Sequence, residues 1–200
     1  MTENVEQLSQ FFLEALRLKR LPRNGWLYSG ISKSEVESVA DHSYSMILIT
    51  LILGLKEQQI NESFDLEKAL IMAIIHDLSE AISQDIDRRV GKFAPDIFEQ
   101  FKKQLDSEAF QKITAFLPEK IKEKLVDIYL DFLERKSPEA ILVKEADRLE
   151  TILQLYHYRM TGKPKSMFKE FYQNFSKEID TYESSLIKSL VQLILSKNPE

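Results

Sequence analysis

Apolar residues recur along this chain at steps of three and four, the period of one face of an α-helix. Val5, Leu8, Phe11, Phe12, Ala15 and Leu16 mark a first amphipathic helix that Pro22 ends. Pro22 to Val36 has no such period and reads as a loop. Ser38, with Asp41 three residues on, is a capping-box variant and predicts a helix from Val39 to about Lys56. Its MILITLIL segment is apolar nearly all round, which places it at the centre of the fold. Asp65 is the expected cap of the next helix, Leu66 to about Ile82, also apolar on most faces.

Ser83 to Pro95 reads as a polar loop or a broken helix. A helix is expected from Pro95 to Phe116, carrying Ile97, Phe98, Phe101, Leu105, Phe110 and Ile113, and another from Pro118 through Leu133. Ser137-Pro138-Glu139 sets a cap before a proline at the first helical position, and that helix runs to about Met160, short of Gly162 and Pro164. A last helix shows Phe168, Phe171, Phe175, Ile179, Tyr182, Leu186, Leu190 and Leu193. Seven helices and no convincing strand make the predicted class all-α, a helical bundle.

Composition narrows the picture. A chain of 200 residues fits one domain, with a core region over about 16–160 and the C-terminal helix, about 165–197, packing on it. The absence of cysteine excludes disulfides, thiolate metal sites and a cysteine nucleophile, and fits a reducing, cytoplasmic setting. The longest uncharged run, Ser43 to Leu55, is 13 residues, whereas a membrane span needs about 20. The first ten residues are polar and acidic, unlike a signal peptide. A net charge of −5 argues against nucleic-acid polymers but not against a small anion held by one or two local cations. The glycines are isolated, so no phosphate loop is present.

The candidate chemistry lies in the most hydrophobic helices. Two of the three histidines, His42 and His76, sit there, and Asp77 follows His76 directly. Burying such groups costs several kcal/mol, as an order of magnitude, unless they are paired or ligated. A hydrogen bond to a neighbouring helix explains one buried histidine. A shared divalent cation explains His42, His76 and Asp77 together. Helix neighbours i and i+1 point about 100° apart, so a His-Asp doublet can hold a metal only at its common edge and other helices must supply the rest. Asp147 is the fourth candidate, among Leu142, Val143, Ala146 and Leu149. Glu80, one helical turn after His76, is placed to handle a water molecule. Ser43 and Ser79 have no triad partners, and His157, between two tyrosines, reads as structural.

The order H…HD…D, with His42, His76-Asp77 and Asp147, resembles the HD-domain superfamily of metal-dependent phosphohydrolases. The segments PRNGW, ESVADHSY, HDLSEAISQDI and VKEADRLE look like its 5′-deoxynucleotidase branch, over roughly Leu16 to Tyr158. The resemblance implies an all-helical fold around one divalent ion and hydrolysis of deoxyribonucleoside 5′-monophosphates to nucleoside and phosphate. It implies His42, His76, Asp77 and Asp147 as ligands and Glu80 as the catalytic glutamate. It also implies Asp85 on the sugar hydroxyl, Arg23 on the phosphate and Trp26 as the screen of the sugar 2′ position. Asn24 and Gly25 separate Arg23 from Trp26, which are adjacent in some relatives, and Gln84 stands where a glycine often precedes the aspartate. Two imidazoles and two carboxylates suit Mn, Co, Fe, Ni or Zn. A homodimer is compatible with the family. The rival readings are a nucleotide phosphodiesterase or triphosphohydrolase, a helical interaction protein with a structural metal, and, last, a di-metal oxygenase. A triphosphohydrolase calls for more cations than the Arg88 and Arg89 seen near the His-Asp doublet in sequence.

Overall fold

The computed structural model of the chain describes residues 2–197. In chain order its helices are α1 (Thr2–Ala15), α2 (Asn24–Tyr28), α3 (Val39–Gln58), α4 (Leu66–Ile75), α5 (Glu80–Ser83), α6 (Pro95–Thr114), α7 (Glu119–Glu134), α8 (Pro138–Met160), α9 (Lys169–Glu178) and α10 (Ser185–Ser196). Among the described residues there is no strand, only one isolated bridge between Pro22 and Ser38. The all-α expectation holds.

The central helices start where side chains can take up free backbone N–H groups. Ser38 accepts from the Asp41 amide at 3.1 Å and Asp41 accepts from the Ser38 amide at 2.9 Å, a complete capping box. Asp65 caps α4 through the Lys68 amide, and Ser137 caps α8 through the Ala140 amide. α3 buries Val39, His42, Met46, Thr50 and Leu53 at steps of three and four. This stripe packs on α4 and α8, and α8 is buried on most of its sides. By length and composition α3 could cross a membrane, which the count of uncharged residues did not suggest; its buried stripe belongs to the core.

Among the described residues ten α-helices stand where seven were expected, and each difference has an identifiable cause. The loop after Pro22 contains α2, whose five residues are too short to display a period. The loop is pinched shut by Arg23 N–H to Glu37 O at 3.0 Å and Val39 N–H to Leu21 O at 2.8 Å. The expected helix Leu66–Ile82 breaks after Ile75. Leu78 N–H bonds Ile75 O at 3.0 Å and Glu80 N–H bonds Asp77 O at 3.0 Å, so the chain tightens into i→i−3 turns before α5. Gln84, at φ 67°, ends α5. The polar stretch after it holds a 3-10 segment, Arg88–Phe93. The last expected helix is split into α9 and α10, because Glu145 of α8 accepts the backbone N–H groups of Glu183 and Ser184 and Ser184 caps a new helix.

Ser38→Ala removes one half of the capping box beneath α3. It should cost about 1 kcal/mol, lowering Tm by about 2–4 °C for a chain of this size, as read by thermal unfolding.

Candidate active site

His42 lies one turn into α3 and is fully buried. Its Nδ1 is 2.5 Å from Glu150 Oε2, a carboxylate on α8. His76 sits at the break after α4, with Nδ1 2.8 Å from the Ala73 carbonyl oxygen. A carbonyl only accepts, so Nδ1 of His76 carries the hydrogen, and the Glu150 carboxylate sets the same tautomer on His42. The Nε2 atoms of the two rings are thereby turned toward each other, 3.4 Å apart.

Two carboxylates close on the same spot. Asp77 Oδ2 is 3.1 Å from His76 Nε2 and 3.7 Å from His42 Nε2, and Asp147 Oδ1 is 3.2 Å from His42 Nε2. Four acceptors facing one another repel unless a positive centre lies among them. A proton is one such centre. Against burial and the nearby Arg23 cation, Asp147 and Glu150 raise the pKa of His42 to about 10. A divalent cation is the other, and the two nitrogen and two oxygen donors match its chemistry. His42, His76 and Asp147 alone offer three ligand atoms within 4.8 Å of one another.

Beside this cluster is a cavity of about 270 Å³. Seven of the eight predicted site residues line it: Arg23, Trp26, His76, Asp77, Glu80, Asp85 and Asp147. The eighth, His42, lies behind them. Arg23 Nη1 donates to Asp77 Oδ2 at 3.2 Å, and Asp77, Asp85, Glu80 and Asp147 together raise its pKa despite burial. Glu80 is buried, with one carboxylate oxygen lacking any hydrogen-bond partner. Burial, with Asp77 and Asp85 beside it, pushes its pKa well up. The i→i−3 turn changes one detail: Glu80 follows Asp77 by one tight turn, instead of standing one α-helical turn above His76. Asp85 accepts from the Asn24 amide at 2.5 Å, and burial raises its pKa. Asn24, which sequence treated as an interruption of a motif, thus ties the two loops together.

Trp26 is anchored more firmly than a free screen requires. Its indole is 2% exposed, donates Nε1–H to Glu37 Oε1 at 2.6 Å and stacks on Phe171 with ring centres 4.4 Å apart. Glu37, whose pKa is raised by burial and by Glu150, also donates its backbone N–H to the Tyr158 hydroxyl. Sequence reasoning missed Glu37 and Glu150, although Glu150 follows Asp147 by three residues on a helix already read as interior. It also undercounted cations: Lys102, Lys144 and Arg148 reach the cavity from distant segments. Lys102 pairs with Asp106 and Arg148 with Glu178. Arg89 is bound by Asp87 and the Gly25 carbonyl, which leaves it a loop brace.

These features agree with what the chain is similar to. The HD domain family matches residues 15–187, and the chain belongs to that family. Among curated proteins, the 5′-deoxynucleotidase HDDC2 of Danio rerio is 32% identical over 93% of this chain and 87% of its own length. The 5′-deoxynucleotidase hdd1 of Schizosaccharomyces pombe is 34% identical over 74% of this chain and 70% of its own. Among solved structures, the PH0347 protein of Pyrococcus horikoshii OT3 superposes with a TM-score of 0.73 at 35% identity, covering 92% of this chain and 98% of that one.

Glu150→Gln keeps the shape beside His42 but removes the charge that makes its ring basic. Divalent-metal affinity should fall about 10–100-fold, measured by competition with a chromogenic chelator, while the helical circular dichroism is retained.

Proposed function

We propose that this chain is a metal-dependent 5′-deoxynucleotidase that hydrolyses deoxyribonucleoside 5′-monophosphates to deoxynucleoside and phosphate. The observation that carries the reading is the crowding of His42, His76, Asp77 and Asp147, with contacts of 3.1–3.7 Å between their nitrogen and oxygen atoms, next to a buried carboxylate with an unpartnered oxygen. The names of the relatives supply the substrate class.

In this reading His42, His76, Asp77 and Asp147 hold one divalent ion, from among Mn, Co, Fe, Ni and Zn. The ion, when bound, supplies Lewis acidity, lowering the pKa of water and polarising a phosphoryl oxygen. Glu80 accepts the proton of the attacking water, and its raised pKa suits it to return that proton to the departing 5′ oxygen. The P–O ester bond breaks as the new one forms. Arg23, fixed on Asp77, offers its remaining guanidinium N–H groups to the phosphate. Asp85 accepts from the sugar hydroxyl, and Asn24 holds it in place. Trp26 is the wall on the 2′ side of the sugar. Its rigidity comes from Glu37 and Phe171, and its amide donates to the Arg23 carbonyl at 3.1 Å.

Phosphate release from a panel of deoxy- and ribonucleoside monophosphates, with each metal in turn, tests the assignment. Release that favours the deoxy series, stops on chelation and returns with a divalent ion is expected. No release from any substrate with any metal leaves the interaction-protein reading. Equal release from both sugars removes the deoxy preference alone. Glu80→Gln should lower kcat by about 10²–10⁴-fold with bound metal unchanged, because it removes a proton acceptor and no ligand.

A further inference from the structure

Glu37 stands at the joint between the metal-ligand cluster and the loop that meets the substrate. It directly precedes the Ser38 cap of α3, is buried, and bonds Arg23, Trp26 and Tyr158. Its carbonyl oxygen accepts the Arg23 N–H at 3.0 Å, and its Oε1 accepts the Trp26 indole N–H at 2.6 Å. Its own N–H donates to the Tyr158 hydroxyl of α8 at 3.1 Å. One residue thus holds the loop at both ends, through its backbone at Arg23 and its side chain at Trp26. Between those ends the Trp26 amide donates to the Arg23 carbonyl at 3.1 Å, so the loop is closed on itself.

The same carboxylate also borders the centre. A carboxylate oxygen of Glu37, one of Glu150 and a ring nitrogen of His42 lie within 4.8 Å of one another, and Glu150 is the group bonded to His42 Nδ1. Two carboxylates side by side in the interior are costly. Burial first, then Glu150, raises the pKa of Glu37 to about 7. A carbonyl or an amide oxygen would accept one indole N–H without that cost. The stack of Trp26 on Phe171 and its edge contacts with Tyr158 and Phe168 already hold the ring in the core. Stability therefore gives no reason for an acid at position 37. Register between the loop and His42 does: an ionised acceptor makes a shorter and stronger bond than a neutral one, and this bond joins the two halves of the site.

We infer that Glu37 is a positioning residue that fixes Trp26 against His42 and thereby sets the preference for deoxyribose over ribose. The inference deepens the reading of the site as a 5′-deoxynucleotidase and rests on it for the sugar. With the indole tied to Glu37, the wall on the 2′ side cannot retreat, and an extra hydroxyl there meets the ring. Without the tie, the ring can shift and admit that hydroxyl. The phosphate end changes less, because Arg23 is held by the Glu37 backbone and by Asp77.

Two near-isosteric variants test the inference. Glu37→Gln keeps a neutral acceptor, and Glu37→Met keeps the unbranched shape without one. Values of kcat/KM for deoxyadenosine and adenosine 5′-monophosphate are measured on the metal-loaded enzymes. The deoxy-to-ribo ratio should fall at least ~tenfold in Glu37→Met, chiefly through better use of the ribonucleotide, and by less in Glu37→Gln. The Tm of Glu37→Gln should equal or exceed that of the unaltered protein, because a buried like-charge contact is removed. Selectivity and stability then part company, which a merely structural glutamate would not allow. A ratio unchanged in both variants overturns the inference, as does one that falls only in step with Tm. If Glu37→Met does not fold, Glu37→Gln decides alone, and an unchanged ratio in it overturns the inference. Unaltered protein that uses both sugars equally also overturns it, since no preference is left to set.

A second measurement needs no turnover. Trp26 is the one tryptophan of the chain, so nitrogen labelling of the indole gives a single Nε1–H resonance. That signal should be protected from solvent exchange in the zinc-loaded protein, and less so in Glu37→Gln. Exchange as fast as in free tryptophan overturns the tie to Glu37. If no nucleotide is hydrolysed with any metal, the reading of the centre falls by itself. Binding of the non-hydrolysed 5′-methylphosphonates of deoxyadenosine and adenosine, followed at the same resonance, then decides the inference. A deoxy preference that weakens at least ~tenfold in Glu37→Met, or weakens in Glu37→Gln where Glu37→Met does not fold, supports it, and a preference that is absent or unchanged overturns it.

Discussion

The rest of this structure depends on a repulsion. Two imidazole nitrogens face each other 3.4 Å apart, and two carboxylates are pressed against the same gap, so the cluster calls for a positive centre, a proton or a metal ion. Such an arrangement is held by the fold, not chosen by the groups themselves. The capping box of α3, the break after α4 and the buried run of α8 each deliver one part of it. A positive centre turns the repulsion into ligation, which is why the packing energy of three helices and the affinity for a cation act on the same few atoms.

A chain of contacts carries that constraint outward. His42 is oriented by Glu150, Glu150 lies by Glu37, and Glu37 takes the indole N–H of Trp26. Trp26 in turn stacks on Phe171 and packs edge-on against Tyr158 and Phe168. The aromatic layer under α9 thus sets the position of the loop that bears Arg23 and Asn24. On the other face of the cluster, Lys144 and Asp147 border a second cavity, in which Arg148 pairs with Glu178 and Glu145 holds the backbone N–H groups of Glu183 and Ser184.

What was legible in the sequence follows the range of each interaction. Caps and long amphipathic helices are local, so Ser38, Asp65 and Ser137 announced α3, α4 and α8 correctly. The breaks were not local. α9 and α10 separate because a glutamate some 38 residues earlier in the chain takes two backbone amides at the junction, and no period in the last segment reports this. The turn at His76 hides for a related reason, since i→i−3 and i→i−4 bonding share nearly the same apolar pattern.

The sequence by itself determined that the protein is helical, which helices are central, and which two histidines and two aspartates were candidates for one cluster. Helical period and the cost of burying an unpaired ionisable group are both written in residue order. Only the tertiary structure decided that the four groups meet, which nitrogen of each histidine faces the others, and which cations stand beside them. Those depend on distances between segments about 30 to 100 residues apart, and such distances are set by packing.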